Sequence, residues 1–120
     1  MRAILIAAAL VLIAANAEAG DANRGKVTFG QCSGCHTVVA NTRDSMGPNL
    51  FGIVGHKVGA RPGYGYSDEM KNAGFTWTHE KLKAFVMDPE SVVPHSNMMF
   101  TGIKNPTQAE DVVAYLETLK

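Results

Sequence analysis

Behind a single positive charge at Arg2, the chain opens on an unbroken apolar run from Ala3 to Ala15. Ala17-Glu18-Ala19 follows, with small residues at the two positions that signal peptidase reads. The run is shorter than the roughly 18 residues a membrane span needs. It also has no polar face to turn outward, as a packed surface helix would. This order predicts a cleaved secretory signal peptide over residues 1–19, leaving residues 20–120 as one domain.

Beyond Gly20 the apolar positions fall at helical spacing, separated by long polar stretches. Ala109, Val112, Val113, Leu116 and Leu119 lie on one helical face. Thr107-Gln108-Ala109-Glu110, preceded by Pro106, supplies capping-box spacing for that helix. Near the other end, Asp21 predicts a cap for a helix that sets Ala22, Gly25 and Phe29 on one side. Thr78 predicts the cap of a third helix carrying Leu82, Phe85 and Val86. It should stop near Asp88, because Pro89 disfavours helix at the residue before it. Ser67 starts a short helical turn that ends near Gly74. No stretch alternates with a period of two, so no strand is expected. Glycines and prolines between Thr37 and Tyr66 mark a long loop, and a loop of that length in a small domain usually wraps something or carries function. The fold class is therefore all-α, with three main helices, short helical turns and long loops.

Composition narrows the function. The 120 residues carry 11 Lys+Arg against 11 Asp+Glu. The leader removes one of each, Arg2 and Glu18, so the balance survives. Nucleic-acid binders usually show a basic excess, which is missing here. Two Cys cannot build a disulfide-dense scaffold. All 12 Gly lie after the leader. A core so thin in side chains predicts that a bound group completes the interior.

The chemistry sits at Cys32-Ser33-Gly34-Cys35-His36. C-x-x-C-H is the attachment pattern for c-type haem: two thiols add to the vinyl groups, and the adjacent imidazole becomes the proximal iron ligand. A thioredoxin-type dithiol would want a βαβ context, which the periodicity does not offer. A zinc site would need more ligands than His36 and the scattered His56, His79 and His95 supply. A plain disulfide across so short a loop would be strained. For the sixth iron ligand, Met98 and Met99 stand in a Pro94-bounded loop, with His95 as a rival. Met46, Met70 and Met87 read as core filler. A Met opposite a His gives a raised reduction potential suited to electron transfer.

These residues, together with Gly47-Pro48-Asn49-Leu50, Pro62-Gly63-Tyr64-Gly65-Tyr66-Ser67-Asp68, Trp77, Asp88-Pro89 and Met98-Met99-Phe100-Thr101-Gly102-Ile103-Lys104, resemble a small class I cytochrome c. The resemblance, to the mitochondrial carrier and its short bacterial relatives, covers nearly all of residues 20–120. It implies a small cytochrome c fold wrapped around one haem c, covalent through Cys32 and Cys35, with His36 and Met98 as axial ligands. It further implies that the Pro48 carbonyl accepts from His36 Nδ1. Tyr66 and Trp77 would bond a buried propionate, and Phe100 would lie near the exposed haem edge. Gly25, Phe29, Val112 and Tyr115 match the contact between the terminal helices.

Departures from the family pattern matter too. Phe85 replaces a Tyr that bonds the Met sulfur, His56 replaces an Arg, and Met70 replaces an Asn. Where the mitochondrial protein rings its haem edge with Lys, this chain has Gln31, Ser45, Glu90, Ser91 and Asn97, with Lys104 retained. That predicts a partner with a less acidic docking face. The resemblance implies a monomeric, periplasmic single-electron carrier, not an enzyme. Its partners would be membrane or periplasmic redox proteins: a quinol-oxidising cytochrome complex, a terminal oxidase, a reaction centre or a dehydrogenase. The alternative is a haem peroxidase or gas-binding sensor in which Met98 is labile.

Overall fold

The computed structural model describes residues 20–120 together with Ala8 and Ala9, so the predicted leader lies otherwise outside the described residues. Among the described residues five α-helices follow in order: α1 (Ala22–Thr28), α2 (Asp68–Lys71), α3 (His79–Met87), α4 (Pro89–Val92) and α5 (Pro106–Glu117). A turn of 3-10 helix, Phe29–Gln31, extends α1. Among the described residues there is no strand. A single antiparallel bridge pairs Lys57 with Thr76. The architecture is the all-α one expected.

Three helix starts follow the caps read from the sequence. Asp21 accepts from the Arg24 amide, Ser67 from Met70 and Thr78 from Lys81. The start of α5 corrects the expectation. Asn105, not Thr107, is the cap. Its side chain accepts from the amides of Thr107 and Gln108, and Pro106 takes the first helical position. Pro at that position loses no hydrogen bond, because its missing N–H would have been an orphan anyway. Glu110 is then free of any capping box and turns to His79 and Lys83 instead. Pro89 likewise does two things. It ends α3 and then opens the unanticipated single turn of α4. The turn begun at Ser67 closes early, at Lys71.

The most extensive helix contact joins α1 to α5, the two ends of the folded chain. Gly25 makes it possible. A Cβ there would sit 1.8 Å from the Asp111 carbonyl oxygen, so only hydrogen fits. Phe29 packs against Tyr115 with ring centroids 5.3 Å apart. Asp111 is buried in this face, yet satisfied: it accepts from Arg24 Nε at 3.0 Å and from the Asp21 amide at 2.8 Å. Arg24 first, then that amide, holds the Asp111 carboxyl below the usual range.

Two apolar clusters make the core. One gathers Phe29, Val86, Ile103, Ala109, Val112 and Leu116. The other gathers Val58, Trp77, Leu82, Phe85, Val93 and Val113. Both α3 and α5 contribute to each cluster, and so do the loops, through Val58, Val93 and Ile103.

Candidate cofactor site

A cavity of about 400 Å³ is lined by members of both clusters, among them Phe29, Trp77, Leu82, Phe85, Val86, Val112 and Leu116. The residues that the resemblance implies for cofactor and iron binding all line it: Cys32, Cys35, His36, Pro48, Tyr66, Trp77, Met98 and Phe100; of the rival sixth ligands Met99 lines it too and His95 does not.

The first wall grows out of α1. The amides of Cys32 and Ser33 bond back to the Phe29 carbonyl, at 2.7 and 3.1 Å. Those of Cys35 and His36 both reach the Cys32 carbonyl, at 3.0 Å. The two thiols and the imidazole therefore leave one hydrogen-bonded turn. Burial pushes the Cys32 thiol up, and the charge of Cys35 acts in the same direction. A dithiol catalyst needs the opposite shift. Among the described residues, no cluster of three His, Cys, Asp or Glu side chains is arranged to hold a bare metal ion.

His36 is fixed from two sides. Its Nδ1 donates to the Pro48 carbonyl oxygen at 2.8 Å, which leaves Nε2 as the ring nitrogen with a free lone pair. Gly47 lies flat against the imidazole, where a Cβ would come within 2.4 Å of Cε1. The Gly47 amide in turn bonds the Cys35 carbonyl at 2.8 Å, so the loop carrying Pro48 is tied to the cysteine turn.

That loop has its own internal frame, which the sequence pattern did not reveal. Asn49 is buried and fully used. Its side-chain amide donates to the carbonyls of Val39 and Thr42, and its oxygen accepts from the Phe51 amide. Asp44 accepts from the Asn49 amide at 2.7 Å and pairs with Arg61 Nε at 2.6 Å. The amide, and with it Arg61, holds the Asp44 carboxyl below its ordinary value. Tyr64 closes the frame by donating to the Met46 carbonyl at 2.7 Å. Arg61, which no local pattern marks, thereby joins the cavity lining.

Across the cavity, the loop after α4 separates the candidate ligands. Met98 is half-buried and packs against the second cluster. Met99 is fully exposed at the rim. His95 is exposed too, with its backbone at φ +56° and its amide on the Glu90 carboxylate. Trp77 is buried between Phe75 and Phe85, at centroid distances of 5.4 and 4.9 Å. Its strand-like segment is held by the loop: the Trp77 amide bonds the His56 carbonyl, and the Gly55 amide bonds the Trp77 carbonyl. Tyr66 meets Tyr64 edge-on at 4.8 Å, and burial pushes its hydroxyl up. His56 is exposed at the cavity margin.

A large apolar cavity with two thiols at one wall, an imidazole beside them and a thioether in its lining has the donor set of a haem protein. An all-α chain built around such a cavity is a c-type haem protein. The cytochrome c family profile matches residues 22–120, and the chain belongs to the cytochrome c family, among its class I members. It is 45% identical to cytochrome c2 of Rhodomicrobium vannielii, over 98% of this chain and 97% of that one. It is 37% identical to cytochrome c-550 of Nitrobacter winogradskyi, over 81% and 89% of the two chains. Cytochrome cH from Methylobacterium extorquens superposes with a TM-score of 0.78 at 40% identity, covering 82% of this chain and 99% of that structure. The chain thus carries one covalently attached haem c.

Proposed function

We propose that this cytochrome is a periplasmic single-electron carrier whose haem iron is ligated by His36 and Met98. One observation carries the reading. The His36 ring is locked by Pro48 so that Nε2 keeps its lone pair, and the cavity it lines takes in the half-buried Met98, whereas Met99 is fully exposed at the rim and His95 lies outside the lining.

When bound, haem supplies a ferric/ferrous couple, and the protein's task is to hold its surroundings constant through the change. Cys32 and Cys35 anchor the ring. The Pro48 carbonyl sets the tautomer and basicity of His36. Met98 offers a soft thioether, which favours the reduced state relative to a second imidazole. Phe85 lines the cavity with no hydroxyl to offer the Met98 sulfur. Tyr66 and Trp77, which both line the cavity, would donate to a propionate in this reading. Were His36 and Met98 both to hold the iron, no position would be left for a substrate, which favours a carrier over the peroxidase or sensor reading.

The leader over residues 1–19 supports export, and no helix among the described residues is long and apolar enough to cross a membrane. The cavity margin carries Gln31, Ser96, Asn97 and the exposed Met46 and Met99 in place of a ring of Lys. That surface suits a redox partner with an apolar, weakly charged docking face, such as a quinol-oxidising complex, oxidase, reaction centre or dehydrogenase of that character.

The test is the absorption spectrum of the purified holoprotein. Low-spin bands with the Met-to-iron charge-transfer feature at neutral pH are expected, and Met98→Ala should abolish that feature while Met99→Ala keeps it. High-spin iron at rest would overturn the reading in favour of an enzyme or sensor.

A further inference from the structure

Lys104 is the one family-position lysine the haem-edge rim retains, and its ammonium group is already occupied. Its Nζ donates to the Thr101 carbonyl at 2.8 Å and to the Met87 carbonyl, the last of α3, at 3.2 Å. The same stretch touches α3 twice more. The Ile103 amide donates to the Val86 carbonyl at 2.7 Å, and Ile103 itself is buried in the first cluster. Between them Gly102, at φ +115°, passes so close that a Cβ would lie 2.1 Å from the Met87 carbonyl oxygen. The last carbonyls of a helix have no partner within it and carry its negative end, so a cation bonded there is stabilised by both effects. Three consecutive residues therefore fasten the loop that carries Met98 onto the C-terminus of α3.

We infer that Lys104 is a positioning residue for Met98: its ammonium, by bridging Met87 and Thr101, keeps the Met98 loop closed over the cavity and so sets how often the thioether leaves the iron. This rests on Met98 being the ligand. The consequence is that Lys104 serves the molecule's interior equilibrium and adds little to partner steering. Its bond partners are fixed carbonyls, so charge and reach matter. Arg can supply both, and Met can fill the space but supply neither.

The experiment is titration of the ferric holoprotein with imidazole, which binds iron only when Met98 has left, so that its apparent affinity reports the open fraction. Lys104→Met should bind imidazole about two- to fivefold more tightly than the native protein, the fold-change expected from losing one cation at a helix C-terminus. Lys104→Arg should return the native value. Guanidinium unfolding of each holoprotein separates the alternative of a merely stabilising contact. If Lys104→Met lowers the unfolding midpoint but leaves imidazole affinity unchanged, the inference is wrong. Equal tightening in the Met and Arg variants would also overturn it, because charge would then play no part. If the native protein lacks the Met-to-iron charge-transfer band, the ligand assignment fails first and this inference falls with it. A band present with unaltered imidazole binding sinks the inference alone.

Discussion

The α1–α5 face and the loops around the cavity belong to one short chain, yet different forces hold them. Where the terminal helices meet, shape dominates: Gly25 admits the opposing backbone, Phe29 packs on Tyr115, and Ala109, Val112 and Leu116 fill the seam. Around the cavity there is little regular structure, and single bonds matter: His36 to Pro48, Asn49 to three backbone groups, Asp44 to Arg61, Lys104 to Met87. A packed seam spreads its stability over many atoms and fails as a whole. A pinned loop fails one pin at a time. Damage to the first should appear as lost stability, and damage to the second as altered cofactor surroundings.

The largest effect should come from Gly25→Val. Its side chain has no space against the Asp111 carbonyl, and forcing the helices apart should cost about 3 kcal/mol or more. Guanidinium unfolding of the holoprotein would show a lowered midpoint with an unchanged slope, while the folded fraction keeps native axial-ligand bands. A variant with native stability would mean the two helices do not depend on that close approach. Asn49→Ala should come next, at about 1 to 2 kcal/mol, because it removes a buried side chain and its three bonds to the backbone of Val39, Thr42 and Phe51. It should also shift the proton resonances of His36 in the reduced protein, which Gly25→Val should leave in place. Unmoved resonances would show that the loop frame does not govern His36.

The smallest effect tests a contact that belongs to neither region. His79 at the start of α3 sits between Glu110 and Glu117 of α5, with Lys83 also on Glu110. The Glu117 bond, opposed by burial and helped by Glu110, raises the His79 pKa above its ordinary 6.5. Burial works to raise Glu110, but His79 and Lys83 outweigh it and lower its pKa below 4.5. A raised His gives stability that is complete below its unfolded pKa and fades as pH climbs through the folded one. A lowered Glu gives stability that fades as pH falls through its folded value. The pair should therefore help most at about pH 5 to 6.5. Because the His79 side chain is 38% exposed, solvent screening holds the gain under about 1 kcal/mol. Unfolding curves of the native protein and His79→Gln should differ most at pH 5.5 and converge at pH 9. A difference that grows with pH would reverse the assignment.

What the sequence made legible was local. Caps at Asp21, Ser67 and Thr78 lie within three residues of the amides they serve, and the Cys32–His36 turn is contiguous. Local rules also misled where two of them overlapped. Asn105-Pro106 and Thr107-x-x-Glu110 both spell a helix start, and Asn105 prevails because Pro106 fits the first turn while Glu110 is drawn to His79 and Lys83 on another helix. Arg61 reaches the cavity because of Asp44, 17 positions away, and Asn49 closes its loop through carbonyls 7 and 10 residues back. No periodicity records such partners, since irregular backbone repeats nothing.

The bond from the Asp21 amide to Asp111 spans 90 positions, nearly the whole folded domain. Closing so large a loop carries an entropic cost that the packed seam must offset. Until α5 has formed, Phe29 has no Tyr115, Val112 or Leu116 to pack on, and the turn bearing Cys32 and Cys35 that follows it hangs from an unsupported helix. α5, far along the chain, is thus what braces the turn that carries the two thiols.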